Sequence, residues 1–258
     1  MQKTTNRPVI IEWRDGQPYS SLFQDVYFSS DNGVLETEYV FLQGNNLAKR
    51  WFELHSNHFV IAETGFGSGL NFICAAKLWL ATAPKDATLH FISTERYPLS
   101  LQDITAALQP WPELHEFSAP LIASYKSICN GEPTNMLYGN RVQLSLLIGD
   151  ATESFKALVV TDDRINPAYP KIDAWFLDGF SPVKNPDMWQ PALFEQMAWL
   201  SKQESTFATF TSAGGVRRGL LAAGFEVSKQ AGFGKKREML FGRFTGHTNA
   251  TVVSMVDL

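Results

Sequence analysis

The pattern of apolar positions changes near residue 58. From there, short continuous apolar runs alternate with segments in which apolar residues recur at helical spacing. Continuous runs are typical of strands buried on both faces, and strands that alternate with helices predict a parallel sheet covered on both sides. We predict strands at 59–62, 89–93, 142–148, 172–177 and 206–210, a closing antiparallel pair at 225–229 and 239–244, and helices at 70–81, 99–108, 191–200 and 216–223. The expected fold is α/β and Rossmann-like, with a mostly parallel seven-stranded sheet.

The first 50 residues carry a different pattern. Turn signals such as the Asp-Gly pair at 15–16 separate short apolar runs, which predicts a β-rich extension. The strand candidates are 9–13, 26–28 and 38–42. We therefore expect a β-rich extension at 1–50 packed on a main domain at 51–244, and a linker or frayed tail at 245–258.

Composition limits the function without naming it. Hydrophobic residues make up 45% and charged residues 19% of the 258 residues, which are globular values. The net charge of −4 means that any nucleic-acid surface has to be a local basic patch. Cys74 and Cys129 are too few for a disulfide framework or a four-cysteine zinc site, and we predict no metal site. Without a signal-peptide pattern or an apolar run near the ~20 residues of a membrane span, we expect a cytoplasmic protein.

The strongest motif is Glu-Thr-Gly-Phe-Gly-Ser-Gly-Leu-Asn at 63–71, between a predicted strand and a predicted helix. Glycines allow tight turns and close approach to a ligand, and a helix start presents unpaired N–H groups. A dinucleotide fingerprint would need glycine at position 70, which is Leu70. Glu63 would repel a pyrophosphate but suits S-adenosylmethionine, which carries an ammonium and a sulfonium. A glycine-rich turn without a ligand is the alternative. The predicted cofactor contacts are Glu63, Gly65, Phe66, Gly67, Gly69 and Asn71.

Acidic residues also follow the next predicted strands. Glu95 ends the second, Asp150 with Ala151 follows the third, and Asp178 follows the fourth. In parallel sheets, ligands bind beyond the carboxyl ends of the strands, where the strand order reverses. We expect Glu95 to accept the ribose hydroxyls, and Asp150 with the Ala151 N–H to recognise adenine. Each acid alone would more often be a solvated loop residue or a helix cap. Together with Glu63, however, the acids stand at four successive strand ends, and this joint pattern predicts one binding site.

Further motifs extend beyond the glycine loop (residues 65–69). Asp-Gly-Phe-Ser-Pro at 178–182 is followed by Lys-Asn-Pro at 184–186, a combination that a generic methyltransferase does not share. The other matching segments are 25–28, 63–71, 173–177, 187–189, 208–213 and 232–239. In these segments, and over about residues 8–244, the chain resembles the methyltransferase domain of the tRNA 5-methylaminomethyl-2-thiouridine biosynthesis (MnmC) family.

The resemblance implies a class I S-adenosyl-L-methionine-dependent methyltransferase that acts on the wobble uridine of tRNA. The amine of a 5-aminomethyl group would be methylated to 5-methylaminomethyl. Two-domain members carry a following FAD-dependent oxidase, and this chain ends about where that domain would begin, without a second glycine fingerprint. We expect a stand-alone enzyme or an excised domain. The alternatives are a methyltransferase of a small-molecule amine, which the net charge of −4 would allow, and a fold that has lost catalysis.

Asp178 is the candidate catalytic residue, because it follows a strand end beside the expected methyl position. An alkyl amine with a pKa of about 10.4 is mostly ammonium at pH 7, so a group has to accept its proton or orient it. We expect Phe180 to stack on the uracil or wall the methyl channel, and Met188 and Trp189 to close the pocket. Core packing is the alternative for both aromatic residues. The residues predicted on the substrate side are Phe180, Pro182, Lys184, Met188 and Trp189.

Two basic segments lie in the carboxyl half. Arg217 and Arg218 stand at the start of a predicted helix, where the helix dipole disfavours cations. Lys235, Lys236 and Arg237 lie in a turn before the last strand. We expect both segments to hold tRNA phosphates along one rim, and solvated surface charge is the alternative for each.

Overall fold

The computed structural model describes residues 11–14, 17–27, 32–130, 135–160, 164–165 and 171–246. The predicted turn at 15–16, the start of the predicted strand at 9–13, the end of the one at 26–28 and most of the predicted tail lie outside these residues.

The described N-terminal residues form a small sheet followed by helices. The strands are β1 (Ile11–Arg14), β2 (Gln17–Ser20) and β3 (Asp25–Val26), which pair in that order and antiparallel. The helices are α1 (Gly33–Thr37), a π-helix at Glu38–Gln43 and α2 (Leu47–Phe52).

Alternating strands and helices make up the rest. The strands are β4 (His58–Thr64), β5 (Thr88–Glu95), β6 (Asn135–Leu137), β7 (Val142–Ile148), β8 (Val159–Val160), β9 (Arg164–Ile165), β10 (Ile172–Leu177), β11 (Ser201–Thr209), β12 (Phe225–Ala231) and β13 (Glu238–Phe244). The helices are α3 (Leu70–Thr82), α4 (Leu101–Leu108), α5 (His115–Cys129), α6 (Ala151–Lys156), α7 (Pro191–Leu200) and α8 (Gly214–Ala222), with 3-10 turns at Pro112–Leu114 and Pro186–Trp189.

The main sheet runs in the order β12-β13-β11-β10-β4-β5-β7-β6, while β8 pairs with β9 outside it. Strands β11, β10, β4, β5 and β7 are mutually parallel, and β13 and β6 are antiparallel to their neighbours. From β4 the chain moves outward through β5 and β7, and it later returns to β10 on the other side of β4. The strand order therefore reverses between β4 and β10, where sheets of this type bind ligands.

Both faces of the sheet are covered. Along β10, Ala174 and Phe176 join the core beneath helices α1 to α5, while Trp175 and Leu177 join the core beneath α6 to α8. This alternation is the period of two expected of a strand, and burial on both faces explains the continuous apolar runs of the sequence. Within the part of the chain that the structure describes, no helix has the length and apolar character needed to cross a membrane.

The predicted strands and helices of the main domain are confirmed, with ends shifted by a few residues. The stretch 111–140, which has little periodicity, contains α5 and the short strand β6. Strand β6 adds an eighth strand to the seven predicted for this sheet, counted over the described residues. Helix α6 was not predicted, because it is too short to show a helical period.

The strand predicted at 38–42 is wrong, because this segment belongs to the π-helix Glu38–Gln43. The apolar residues at 40–42 are all buried, whereas a strand would turn alternate side chains to opposite faces. Phe41 stacks on Phe176 of the sheet with ring centroids 5.2 Å apart. Packing against the sheet thus overrides the strand propensity of the Tyr-Val-Phe run.

Candidate active site

The carboxyl ends of β4, β5, β7 and β10 surround a cavity of 490 Å³. The predicted site residues that line it are Gly65, Phe66, Gly67, Asn71, Glu95, Asp150, Ala151, Asp178, Phe180, Lys184, Met188 and Lys236. The predicted residues that do not line it, all of them described, are Glu63, Gly69, Pro182, Trp189, Arg217, Arg218, Lys235 and Arg237. The strand-end acids thus converge, with Glu63 as the exception.

The glycine loop is held tightly against the ends of β4 and β5. Gly65 has φ +82°, and a Cβ there would stand 3.2 Å from Gly179 Cα, so both the backbone conformation and the close approach require glycine. The N–H groups of Gly65 and Phe66 both donate to the Thr94 carbonyl at 3.0 Å. Gly69 precedes α3 at φ +75°, and a Cβ there would meet the Phe66 ring at 2.9 Å. Gly69 therefore shapes the loop from behind the cavity.

Asn71 joins two of the predicted acids. Its Nδ2 donates to Glu63 Oε1 at 2.9 Å and to Asp178 Oδ2 at 2.6 Å, and its Oδ1 accepts from Thr37 Oγ1 at 2.7 Å. Glu63 is 0% exposed and also accepts from Ser93 Oγ at 2.6 Å. Burial raises the pKa of Glu63 well above its usual value. The sequence predicted direct cofactor contact for Glu63; in the structure this side chain does not line the cavity, and Asn71 links it to Asp178.

Asp178 follows β10 and faces the cavity. Its Oδ1 accepts from the Gly179 N–H at 2.8 Å and its Oδ2 accepts from Asn71. Burial raises the pKa of Asp178 from 3.8 to about 6, against the opposing effect of these two hydrogen bonds. The Glu36 carboxylate raises this pKa further, and the Lys236 ammonium lowers it. A carboxylate with a pKa near neutrality is a better proton acceptor than an ordinary aspartate.

The other two acids on the cavity wall are held by the backbone around them. Glu95 accepts from the Gly67 N–H at 2.9 Å through Oε2 and from the Tyr97 N–H at 2.7 Å through Oε1. Burial raises the pKa of Glu95, while these hydrogen bonds oppose the rise. Asp150 is the N-cap of α6, and Ala151 is the first residue of this helix. Both strand ends therefore present carboxylates at fixed positions.

Aromatic side chains form another wall. Phe180 stacks on Phe23 with ring centroids 4.5 Å apart and meets Tyr27 edge-on at 5.3 Å. Trp189 is buried behind this wall, where its Nε1 donates to the Phe180 carbonyl at 3.0 Å and its ring meets Phe210 edge-on at 6.2 Å. Phe180 and Phe210 thus face the cavity, and Trp189 supports both from the core side.

Lys184 fastens the turn between β2 and β3 to the site. Its Nζ pairs with Asp25 Oδ1 at 2.9 Å and donates to the Gln24 carbonyl at 2.7 Å. The same turn carries Phe23, which stacks on Phe180. The predicted substrate residue Lys184 therefore has intramolecular partners that hold the N-terminal hairpin beside the cavity.

The basic segments differ in where they point. Lys236 is exposed but reaches the cavity wall, with Nζ 2.7 Å from Glu36 Oε1 and 4.2 Å from the centre of the Phe210 ring. Since β13 runs antiparallel to β11, the turn before β13 lies at the same sheet edge as the start of α8. The other four predicted phosphate contacts are exposed at this edge: Arg217 and Arg218 near the start of α8, and Lys235 and Arg237 in the turn.

Several cavity residues had no role predicted from the sequence: Phe23, Glu36, Thr37, Tyr97 and Phe210. Tyr97 lies two residues after the end of β5, so the rule that ligands bind beyond the carboxyl ends of parallel strands could have predicted it. Glu36 had a signal in the helix cap, because Asn32 Oδ1 accepts from the Leu35 N–H at 3.1 Å. Helix α1 was not predicted, because the segment that follows it, 38–42, was predicted to be a strand.

The chemistry of the wall fits a cationic nucleoside cofactor. Glu95, Asp150 and Asp178 place three carboxylates on the cavity, which attract a cation and repel a pyrophosphate. The strand order and this acid-lined crevice define the fold and site of an S-adenosylmethionine-dependent methyltransferase. A family model described as S-adenosyl-L-methionine-dependent methyltransferase matches residues 112–245, just over half of the chain. The chain belongs to this family, and S-adenosyl-L-methionine is its cofactor.

Curated relatives confirm the resemblance to MnmC. The "tRNA 5-methylaminomethyl-2-thiouridine biosynthesis bifunctional protein MnmC" of Methylobacillus flagellatus is 52% identical over 235 residues, which are 91% of this chain and 35% of that protein. Its namesake in Chromobacterium violaceum is 53% identical over 231 residues, 89% of this chain and 34% of that protein. The chain thus spans about a third of the length of these relatives. The crystal structure of MNMC2 from Aquifex aeolicus matches with a TM-score of 0.68 and 23% identity over 94% of this chain and 72% of that chain, which supports the fold alone.

Proposed function

We propose that this chain transfers a methyl group from S-adenosyl-L-methionine to the amine of a 5-aminomethyl group on the wobble uridine or 2-thiouridine of tRNA. The product is 5-methylaminomethyl-uridine or its 2-thio form. The names of relatives that are 52% and 53% identical support this substrate. The observation that carries the proposal is Asp178, a carboxylate with a pKa of about 6 on the cavity wall at the strand-order reversal.

The cofactor-binding roles follow from the wall residues. The cofactor supplies, when bound, a methyl group carried on a sulfonium. We assign the ribose hydroxyls to Glu95, and the adenine to Asp150 with the Ala151 N–H, because these residues end two neighbouring strands. The glycine loop lies against the amino-acid part of the cofactor. Glu63 contributes to this part through its hydrogen bond with Asn71.

Asp178 prepares the amine. At pH 7, removing a proton from an alkyl amine with a pKa of about 10.4 costs roughly 4–5 kcal/mol. Each Asp178 oxygen accepts one hydrogen bond within the protein and keeps a further lone pair for the substrate ammonium. The carboxylate accepts the proton of the ammonium, which leaves the amine lone pair free for the methyl group. Phe180 stacks on the uracil, because RNA bases that leave the helical stack are commonly bound against aromatic side chains. Met188 lines the cavity together with Phe180 and closes the pocket.

The exposed basic residues supply the RNA contact. We assign tRNA phosphates to Arg217, Arg218, Lys235 and Arg237, which lie at the sheet edge where the cavity opens. Such contacts add affinity without base specificity. An FAD-dependent oxidase domain in the same parent protein would supply the aminomethyl substrate. A tRNA substrate also supports the expected cytoplasmic location.

Mass analysis of nucleosides tests the proposal. Undermodified tRNA that carries 5-aminomethyl-uridine is incubated with the protein and S-adenosyl-L-methionine and then digested. We expect the aminomethyl nucleoside to gain one methyl group, and tRNA with an unmodified wobble uridine to gain none. Methylation of small alkyl amines with no transfer to the tRNA would replace the proposal by a small-molecule activity.

A further inference from the structure

The Nζ of Lys236 lies in a site for a primary ammonium on the cavity wall, although the Lys236 side chain is 43% exposed. Its Nζ lies 2.7 Å from Glu36 Oε1 and 4.2 Å from the centre of the Phe210 ring. The Glu36 side chain is only 14% exposed, which strengthens its interaction with a cation compared with a surface pair. A carboxylate together with an aromatic face is a common way for proteins to hold ammonium groups. All three residues line the cavity.

The position of this site relative to Asp178 is fixed by α1. Thr37, the neighbour of Glu36 on α1, donates to Asn71, and Asn71 donates to Asp178. The charges of Glu36 and Lys236 both act on the Asp178 carboxyl group. Glu36, Lys236 and Asp178 line the same cavity, and two hydrogen bonds connect the neighbour of Glu36 to Asp178.

We propose that Glu36 and Phe210 form the subsite for the alkylammonium of the substrate's 5-aminomethyl group, and that the Lys236 ammonium is a stand-in that leaves when tRNA binds. This inference rests on the proposed function. The substrate group and the lysine end are the same kind of primary alkylammonium, so one cage accepts either. Charge stays balanced, because the incoming ammonium replaces the lysine at Glu36 while the released Lys236 meets the phosphates of the RNA.

A binding preference measures this subsite directly. Affinities are determined for two tRNAs that differ only in the wobble base, 5-aminomethyl-uridine against unmodified uridine. Their ratio cancels the phosphate contacts that both share. In Glu36→Gln we expect the preference for the amine-bearing tRNA to fall by about tenfold or more, as expected for loss of a charged hydrogen bond, with affinity for the unmodified tRNA unchanged. In Lys236→Met we expect the preference to rise, because the internal competitor is gone.

The two variants distinguish a subsite for the substrate ammonium from a purely structural ion pair between Glu36 and Lys236. A purely structural ion pair would make both substitutions change the ratio in the same direction. Glu238→Gln is the matched control, since Glu238 pairs with Lys229 at 2.8 Å on the exposed β12–β13 hairpin and does not line the cavity. Its ratio should equal that of the wild type. Thermal unfolding checks that each variant is folded.

Three results would overturn the inference. The first is an unchanged preference in Glu36→Gln, and the second is a fall in both variants. The third is loss of S-adenosyl-L-methionine affinity in Glu36→Gln by calorimetry, which would assign the cage to the ammonium of the cofactor. Failure of the proposed function is distinct, since the wild type itself would then leave the 5-aminomethyl nucleoside unmethylated.

Discussion

Replacing Asp178 by Asn tests whether this side chain accepts the proton of the amine, because the size of the side chain is nearly unchanged. Asn has nearly the same size and still offers an oxygen to the Gly179 N–H, but it takes up no proton near neutral pH. Burial raises the pKa of Asp178 from 3.8 to about 6. At 1.36 kcal/mol per pH unit, the raised pKa makes transfer of the amine proton to this carboxylate about 3 kcal/mol less costly than transfer to an ordinary aspartate.

The two proteins should differ in the shape of the pH profile. In the wild type the reactive state combines ionised Asp178 with the substrate ammonium. We therefore expect kcat/KM to rise up to about pH 6 and then to stay level until the amine itself loses its proton near about pH 10.4. In Asp178→Asn only the neutral amine reacts, so kcat/KM should rise about tenfold per pH unit through the neutral range. At pH 7 we expect turnover to fall by at least ~10²-fold.

Methyl transfer to 5-aminomethyl tRNA at saturating cofactor, followed from pH 5 to pH 9, gives both profiles. Asp187→Asn is the control, because Asp187 is an exposed carboxylate of the Pro186–Trp189 turn that does not line the cavity. A wild-type profile that itself climbs about tenfold per pH unit across neutrality, or a variant with near-normal turnover, would refute proton acceptance by Asp178.

Stability provides a check on folding with a definite sign. The folded-state pKa of Asp178 lies above 3.8, so the folded protein holds this proton more tightly than the unfolded chain. The ionised carboxylate therefore lowers the free energy of unfolding as pH rises from about 3.8 to about 6. In Asp178→Asn the loss of this charge is offset by the loss of the hydrogen bond from Asn71, so at pH 7 we expect an unfolding midpoint close to that of the wild type. A midpoint lower by many degrees would attribute lost turnover to misfolding.

Three further perturbations follow from the same contacts. Asn71→Leu removes a hydrogen bond that lowers the pKa of Asp178, so the acid limb of kcat/KM should move to higher pH and stability should fall by about 1–3 kcal/mol; an unmoved acid limb would contradict the coupling. Lys184→Met removes both contacts to the β2–β3 turn, and hydrogen exchange of that turn should accelerate while global stability changes by less than about 1 kcal/mol; unchanged exchange would mean that the aromatic stack alone holds the turn. Combined Lys235→Glu and Arg237→Glu should weaken tRNA binding and reduce the slope of log affinity against log salt by about 1 for each lost phosphate contact; an unchanged slope would place the RNA elsewhere.

Local patterns of residues predicted seven of the eight described strands of the main sheet, and also the glycine loop. The strands predicted at 142–148 and 172–177 match β7 and β10 in their bounds. Burial on both faces makes such strands mostly apolar, although β7 contains Gln143 and Ser145 and β10 contains Asp173. The glycine spacing around Gly65 is also a local requirement, since it reflects one positive φ and one close approach. The row of acids followed from the rule that strand ends of a parallel sheet meet at one edge.

The surroundings of each acid became visible only in the folded chain. In the sequence, Glu63 and Asp178 are both acids at the end of a predicted strand. In the structure, Asp178 lines the cavity, whereas Glu63 does not and contacts Asn71. Lys236 was predicted as a phosphate contact, and only the fold shows that it pairs with Glu36, 200 residues away in the chain, while its side chain stays exposed. The pKa and the orientation of a side chain depend on burial and on partners distant in the chain. The local pattern of residues therefore does not predict them.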